Sequence, residues 1–404
     1  MTALSLLLLL SGFLLLVLGG EALVRGAASL GKRLGLSSMI IGLTVVAFAT
    51  SMPEMAVSVG AALSGAPGLA VGNVVGSNIA NILFVLGLTA VFAGLAVKVR
   101  LIKADIPIMI GFSVLALALS LDGTFSAGDG LVLLGLLVLY LIASIMYSRR
   151  QRARGDEGQL GVEGVLSQGP GGRLTAKLRA TTLRSTTVDL LLLVGGVALL
   201  VLGARLLVDG ATAIALTLGV SELVIGLTVV AIGTSLPELA TSVIAALRGE
   251  RDMAVGNLVG SNIFNIGAVL GVTSLVSPLP LRIDPAAVYF DLPVMLAAAL
   301  VLLPLAFTGR FITRWEGGLL AAIYVAYVAF AVLSSGQHDA LEPFSAALGW
   351  FVVPLTLIWL IALSGYQFGT RRRSDEPYDE DEPVDYLSSP PTHPTPVVTP
   401  NHKN

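Results

Sequence analysis

Apolar residues run along most of this chain in blocks of 18 or more, separated by short polar stretches. Blocks of that length are what a helix needs to cross a bilayer, where roughly 20 apolar residues span the hydrocarbon core. The alternating pattern of about ten residues that marks an outer-membrane barrel strand is missing. The blocks predict eleven helical spans, near 3–30, 37–63, 69–96, 104–121, 127–148, 188–215, 221–247, 253–277, 287–307, 315–335 and 344–366. Met1–Leu18 resembles a signal-peptide core but lacks a basic start and a small-x-small cleavage site, so it reads as the first span.

The polar residues inside these blocks recur. Gly42-Leu43-Thr44-Val45-Val46-Ala47-Phe48-Ala49-Thr50-Ser51-Met52-Pro53-Glu54 is echoed by Gly226-Leu227-Thr228-Val229-Val230-Ala231-Ile232-Gly233-Thr234-Ser235-Leu236-Pro237-Glu238. Some 20 residues on, Val71-Gly72-Asn73-Val74-Val75-Gly76-Ser77-Asn78-Ile79-Ala80-Asn81 is echoed by Val255-Gly256-Asn257-Leu258-Val259-Gly260-Ser261-Asn262-Ile263-Phe264-Asn265. Both echoes keep an offset of 184 residues, and Asp105-Ile106-Pro107 returns as Asp291-Leu292-Pro293 with a shift of two. Spans one to five and six to ten are therefore two repeats. An odd number of spans per repeat turns the second copy upside down, the signature of a secondary transporter with a midplane site. The chain divides into a first repeat (1–148), a linker loop (149–187), a second repeat (188–336), an extra C-terminal helix (337–368) and a disordered acidic, proline-rich tail (369–404).

Composition and charge agree. The chain is 55% hydrophobic and 12% charged, half the charged share of an average soluble protein. It has no cysteine, so thiol chemistry and disulfides are excluded, and its net charge of −2 gives no reason to expect a nucleic-acid partner. No protein partner is indicated; the partners expected are ions and the lipid bilayer. Lys32, Arg33, Lys98, Arg100, Lys103, Arg149, Arg150 and the arginines of the linker fall on one side of the predicted membrane, with Arg282 alone on the other. The positive-inside rule then puts the N-terminus outside and the 149–187 loop and tail in the cytoplasm of a multi-pass cell-membrane protein.

A carboxylate at the centre of a bilayer costs roughly 2.5–3.5 kcal/mol on insertion scales and by default marks function. Glu54 and Glu238 occupy equivalent places, which points to one shared site. Residues three and four apart share a helix face, so Thr50 and Ser51 join Glu54, Thr234 and Ser235 join Glu238, and Asn73, Ser77 and Asn81 line up as do Asn257, Ser261 and Asn265. Pro53 and Pro237 each remove an amide donor and break the helix, which frees backbone acceptors near Ala47, Thr50, Ala231 and Thr234. Gly72, Gly76, Gly256 and Gly260 permit close helix approach or a second break. All these ligands are hard oxygens, a set that suits Na⁺, Ca²⁺ or Mg²⁺ over zinc or copper. Two glutamates balance one Ca²⁺ or two Na⁺, and Mg²⁺ keeps its waters too firmly for a deep cage. Thr44, Thr228, Asn78 and Asn262 read as glue between helices. Glu21 with Arg25, and Arg205 with Asp209, read as ion pairs, and Asp105 and Asp291 read as caps at span ends.

The paired Gly-Leu-Thr-Val-Val-Ala-x-x-Thr-Ser-x-Pro-Glu and Gly-Asn-x-Val-Gly-Ser-Asn-Ile-x-x-Asn segments resemble the α-repeats of the Ca²⁺/cation antiporter superfamily, and within it the prokaryotic Na⁺/Ca²⁺ exchanger family. The resemblance covers the first ten spans. It implies an all-α, ten-helix core of two inverted five-helix repeats, with the eleventh helix added. It also implies a diamond of four ion sites and exchange of about three Na⁺ for one Ca²⁺. By that resemblance Glu54 and Glu238 are the principal Ca²⁺ ligands, and the backbones of Thr50 and Thr234 complete the site. Ala47, Ser51 and Ser77, with Ala231, Ser235 and Ser261, line the flanking Na⁺ sites, and spans one and six slide across the core. Some relatives carry an aspartate where this chain has Asn81 or Asn265. Two neutral amides favour independence from K⁺, and Thr-Ser-x-Pro-Glu in place of Gly-Asn-Ala-Thr-Glu favours Na⁺ coupling over H⁺.

These readings together predict an antiporter that binds Na⁺ and Ca²⁺ as substrates, holds no cofactor, and is not an enzyme. Only an ion-filled site is neutral enough to cross the apolar barrier, so exchange is obligatory. Protons compete at low pH, and a Na⁺ gradient drives Ca²⁺ outward. The alternatives are an H⁺/Ca²⁺ or K⁺-dependent exchanger and, in a different class, a cation channel.

Overall fold

The computed structural model describes residues 3–34, 36–153, 186–218, 231–307 and 309–335. Linker residues 154–185, the eleventh span, the tail and the Gly226–Val230 part of the second motif lie outside the described residues. Repeat one is built from α1 (Ala3–Leu34), α2 (Ser38–Ile41), α3 (Ala47–Thr50), α4 (Met52–Leu63), α5 (Pro67–Ala80), α6 (Gly87–Ala93), α7 (Ile106–Leu119) and α8 (Ala127–Ala153). Repeat two follows with α9 (Thr186–Thr217), α10 (Ala231–Thr234), α11 (Leu236–Leu247), α12 (Arg251–Phe264), α13 (Gly271–Val276), α14 (Leu292–Phe307) and α15 (Arg314–Ser335). Among the described residues, eight helical stretches are long and apolar enough to cross a membrane, or nine when the bent pair Ser38–Thr50 and Met52–Leu63 counts as one span.

Among the described residues, four two-residue strands record how the repeats are arranged. β1 (Leu95–Ala96), between spans three and four, pairs antiparallel with β4 (Phe311–Ile312), between spans nine and ten. β2 (Thr124–Phe125), between spans four and five, pairs with β3 (Leu281–Arg282), between spans eight and nine. Each pair joins non-equivalent loops of the two repeats, and hydrogen-bonded loops must share one membrane face. The connection after the third span of one repeat therefore lies beside the connection after the fourth span of the other. Two repeats of the same orientation would put those loops on opposite faces. The copies are inverted.

The two long helices α1 and α9 run antiparallel along a seam of glycines spaced by seven. A Cβ on Gly19 would sit 2.7 Å from the Leu200 amide nitrogen, one on Gly196 2.6 Å from that of Leu23, and one on Gly203 2.8 Å from the Gly12 carbonyl. Backbones meet along this seam as they do in tightly packed membrane helix pairs. Arg33 closes one end on the buried Asp189, Nε to Oδ2 at 2.8 Å. Further along, Glu21 pairs with Arg25, as expected, and also with Arg248 at the end of α11.

In the core, α12 packs on the segment from α2 to α3. Cβ atoms on Gly256 and Gly260 would lie 2.7 Å from the Met39 and Leu43 carbonyls. The helices run unbroken through Gly72, Gly76, Gly256 and Gly260, so in α12 the glycines serve approach and in neither helix do they break the chain. The irregularity falls one turn later. A π-helical turn covers Asn81–Leu86 and another covers Asn265–Leu270, at the same place in each repeat.

The expected caps at Asp105 and Asp291 are not what forms. Asp105 accepts a hydrogen bond from the Tyr140 hydroxyl at 3.0 Å, and Asp291 accepts one from Tyr327 at 2.9 Å. A buried carboxylate gains more from a donor on the neighbouring span than from amides of its own continuous helix. Thr44 and Asn78 bond carbonyls of their own helices, at Ile40 and Val74, and are not interhelical glue. Asn262 does reach a neighbour, the Met109 sulfur at 3.5 Å.

Candidate ion-binding site

Pro53 lies in the first turn of α4, and the chain bends by 40° between Thr50 and Met52. Ser51 forms the elbow, with φ −80° and ψ 0°. Its amide still reaches the Ala47 carbonyl at 3.0 Å, and the Thr50 hydroxyl approaches the same oxygen at 3.4 Å. Repeat two copies the elbow at Ser235, whose amide bonds the Ile232 carbonyl at 3.0 Å, with Pro237 in the first turn of α11. Ala231 opens α10, and its side chain lies outside the described residues.

Both elbows aim a glutamate inward. Glu54 and Glu238 are fully buried, and they lie near enough across the two repeats for the charge of Glu238 to act on Glu54. None of their four carboxylate oxygens has a protein hydrogen-bond partner. The same holds for the Ser51, Ser77 and Ser235 hydroxyls and for both amide atoms of Asn81 and Asn265, all on buried residues. Most buried polar atoms without a partner, among the described residues, belong to the predicted ligand set. Folded proteins pair nearly all such atoms, and leaving a carboxylate unpaired in an apolar interior costs several kcal/mol. The oxygens among them, from carboxylates, hydroxyls and amides, are the hard ligands of Na⁺ and Ca²⁺ sites, so the donor set fits a cation; the two amide nitrogens are N–H donors and are not ligands. Among the described residues no group of three or more His, Asp or Glu side chains gathers as a resident metal cluster.

Three members of the predicted set, Thr50, Ser261 and Thr234, are engaged differently. Thr50 Oγ1 lies 3.2 Å from Ser261 Oγ and 3.3 Å from Asn257 Oδ1. Ser261 donating to Thr50, and Thr50 to Asn257, satisfies both contacts. Thr50 thus ties repeat one to α12 of repeat two, which leaves its carbonyl rather than its hydroxyl for an ion. Thr234 is half-buried and has a partner of its own.

Sequence reasoning placed Asn73 and Asn257 on the ligand faces but missed their partners. Asn73 Nδ2 donates to Ser58 Oγ at 2.9 Å and to the Glu54 carbonyl at 3.3 Å; Asn257 Nδ2 donates to Ser242 Oγ at 3.0 Å. Each asparagine pins the helix that carries a glutamate. The signal was present, since Ser58 and Ser242 keep the offset of the motifs, four residues past each glutamate. Asn257→Ala is expected to lower thermal stability by about 1–3 kcal/mol, the cost of leaving buried partners unmade. It is also expected to weaken Ca²⁺ binding by isothermal titration, with Asn257→Asp restoring less than Asn257→Gln. A variant that loses stability and keeps wild-type affinity would make the clamp purely structural.

The family model described as "Sodium/calcium exchanger protein" matches residues 4–146 and 188–333. The chain belongs to the sodium/calcium exchanger protein family. The sodium/calcium exchanger MaX1 of Methanosarcina acetivorans is 35% identical over 352 residues, covering 81% of this chain and 98% of that protein. The inner membrane protein YrbG of Escherichia coli is 39% identical over 296 residues, covering 73% and 86%. Among solved structures, the sodium-calcium exchanger NCX_Mj soaked with zero Na⁺ and Ca²⁺ superposes with a TM-score of 0.65 at 35% identity, covering 81% of this chain and 99% of that one. This family member is accordingly a multi-pass membrane transporter of the cation/Ca²⁺ antiport type, built as an exchanger and not as an enzyme.

Proposed function

We propose that this exchanger family member moves Ca²⁺ out of the cell against Na⁺, about three Na⁺ per Ca²⁺, without K⁺. The observation that carries the reading is the buried oxygen set without protein partners, contributed by both repeats around Glu54 and Glu238. Two carboxylates neutralise one Ca²⁺ or two Na⁺. Glu54 and Glu238 hold Ca²⁺ with the backbone of Thr50 and Thr234. Ser51, Ser77, Asn81 and Ala47, with Ser235, Ser261, Asn265 and Ala231, serve the flanking Na⁺ positions. Two asparagines at the π-turns give neutral ligands where a third carboxylate would invite K⁺ or a proton, which supports K⁺ independence. The repeats span 1–148 and 188–336, with the N-terminus outside and the linker and tail in the cytoplasm.

The test is Ca²⁺ uptake into proteoliposomes loaded in parallel with Na⁺, K⁺ or a proton gradient. Uptake is expected to require internal Na⁺, to ignore K⁺ and collapse of the pH gradient, and to carry net charge. Uptake driven by the proton gradient would move the chain to the H⁺/Ca²⁺ class. Current without any counter-ion would make it a channel.

A further inference from the structure

The glycine seam leaves no room between the backbones of α1 and α9, and Arg33 closes it on the buried Asp189, so the two helices form one body. That body leans on α11, the helix that carries Glu238. A Cβ on Gly20 would lie 2.6 Å from Ile244 Cδ1 and 3.4 Å from the Ala240 carbonyl. The next residue, Glu21, takes Arg248 in a two-pronged pair. Arg248 Nε donates to Glu21 Oε2 at 2.6 Å, and Nη2 donates to Oε1. Arg25 flanks the same carboxylate. Glu21 is 26% exposed and Arg248 40%, so solvent screens the pair only in part.

The second repeat supplies an internal control. The offset of 184 matches Gly20 with Ala204, Glu21 with Arg205, Ala240 with Ala56, Ile244 with Gly60 and Arg248 with Ser64. On that side the contact is open. Ala56, Gly60 and Ser64 are exposed, and a Cβ on Gly60 would meet nothing within 4 Å. Arg205 is exposed as well and forms no ion pair among the described residues; the pair expected with Asp209 does not form.

In a transporter built from inverted repeats, one bundle rocks against the other, and exchanging the conformations of the two copies gives the state open to the opposite side. Exchange here would lift α1 off α11 and lay α9 on α4, with Ala204 at Gly60 and Arg205 at Ser64. Each state then packs a small residue at the crossing. The charges do not match: Glu21 has Arg248, whereas Arg205 would meet a serine. We propose that Glu21 and Arg248 form a one-sided latch. It closes the exchanger on the side of Arg248, which is cytoplasmic in the proposed topology, and favours the state open to the outside. The opposite state has no ion pair at the matching position. The latch rests on the antiport class of the protein and not on which ions it moves.

The chain has no cysteine, so single cysteines report accessibility without background. Ala240→Cys probes the closed contact and Ala56→Cys the open one, each in the full chain in nanodiscs with a water-soluble maleimide. Ala56→Cys is expected to react faster. Adding Glu21→Gln or Arg248→Gln is expected to speed Ala240→Cys and slow Ala56→Cys, shifting the ratio of the two rates by about fivefold, the scale of one good ion pair. Ser64→Glu gives Arg205 its missing partner and is expected to shift the ratio the same way, with Ser64→Gln leaving it unchanged. Ser64 is exposed, so this arm stands even if the Glu21 variant misfolds. An unchanged ratio in Glu21→Gln overturns the latch, and so does a change confined to Ala240→Cys, which would be local loosening. An unchanged ratio in Ser64→Glu overturns its one-sidedness. Labelling needs no ion gradient, so it reads the latch even if the proposed Na⁺ coupling fails.

Discussion

Glu54→Gln and Glu238→Gln are each expected to reduce Na⁺-dependent Ca²⁺ uptake on the order of 100-fold or more. Removing one partner of a buried charged set costs about 3–5 kcal/mol, and in the proposed site that set is the two glutamates with a bound cation. The substitution keeps shape and volume, so the protein should still assemble. A binding readout separates chemistry from folding. A ligand that binds the native state raises stability by about 2.7 kcal/mol at a hundredfold excess over its dissociation constant. Millimolar Ca²⁺ is thus expected to raise the melting temperature of the wild type and to leave either variant unmoved. Wild-type uptake in either variant would sink the assignment of the site.

The second large effect is structural. Gly260→Leu is expected to abolish folding, because the new Cβ would lie 2.7 Å from the Leu43 carbonyl and 2.8 Å from the Ala47 Cβ. Overpacking an ordinary core costs about 1–3 kcal/mol, and here the first obstacle is backbone, which cannot step aside as a side chain can. Gly135→Ala makes the control, since its Cβ would meet nothing within 4 Å. That change is expected to be neutral or to stabilise by up to about 1 kcal/mol through helix propensity. Fluorescence-detected size exclusion in detergent distinguishes the two, and a monodisperse Gly260→Leu peak at wild-type yield would contradict the packing described here.

Much of this site was legible in the residues. A glutamate after a proline in an apolar block is so costly that its duplication announces a function, and the helical spacing of three and four alone places Thr50, Ser51, Ser77 and Asn81 on ligand faces. What the sequence did not show are relations across the two repeats. Nothing local in Thr50 says that its hydroxyl will be taken by Ser261 and Asn257 of the other copy. Asp105 near a span end looks like a cap, because its partner Tyr140 lies 35 residues away on the next span. The π-turns at Asn81 and Asn265 were also hidden. A single extra residue per turn has no signature in apolar periodicity, and the glycines upstream drew attention to the wrong place.

The interlocked strands and the glycine seam bear on how the chain is made. Synthesis delivers the first repeat well before the second, and domains usually fold in that order. Here α1 needs α9 to cover its glycines, β1 waits for β4, β2 waits for β3, and Thr50 waits for Asn257. The first five helices enter the membrane with Glu54 already inside and none of these contacts available. Insertion and folding are thus separate acts in this protein. The early half must be held by its own hydrophobicity, unassembled, until the late half arrives upside down beside it.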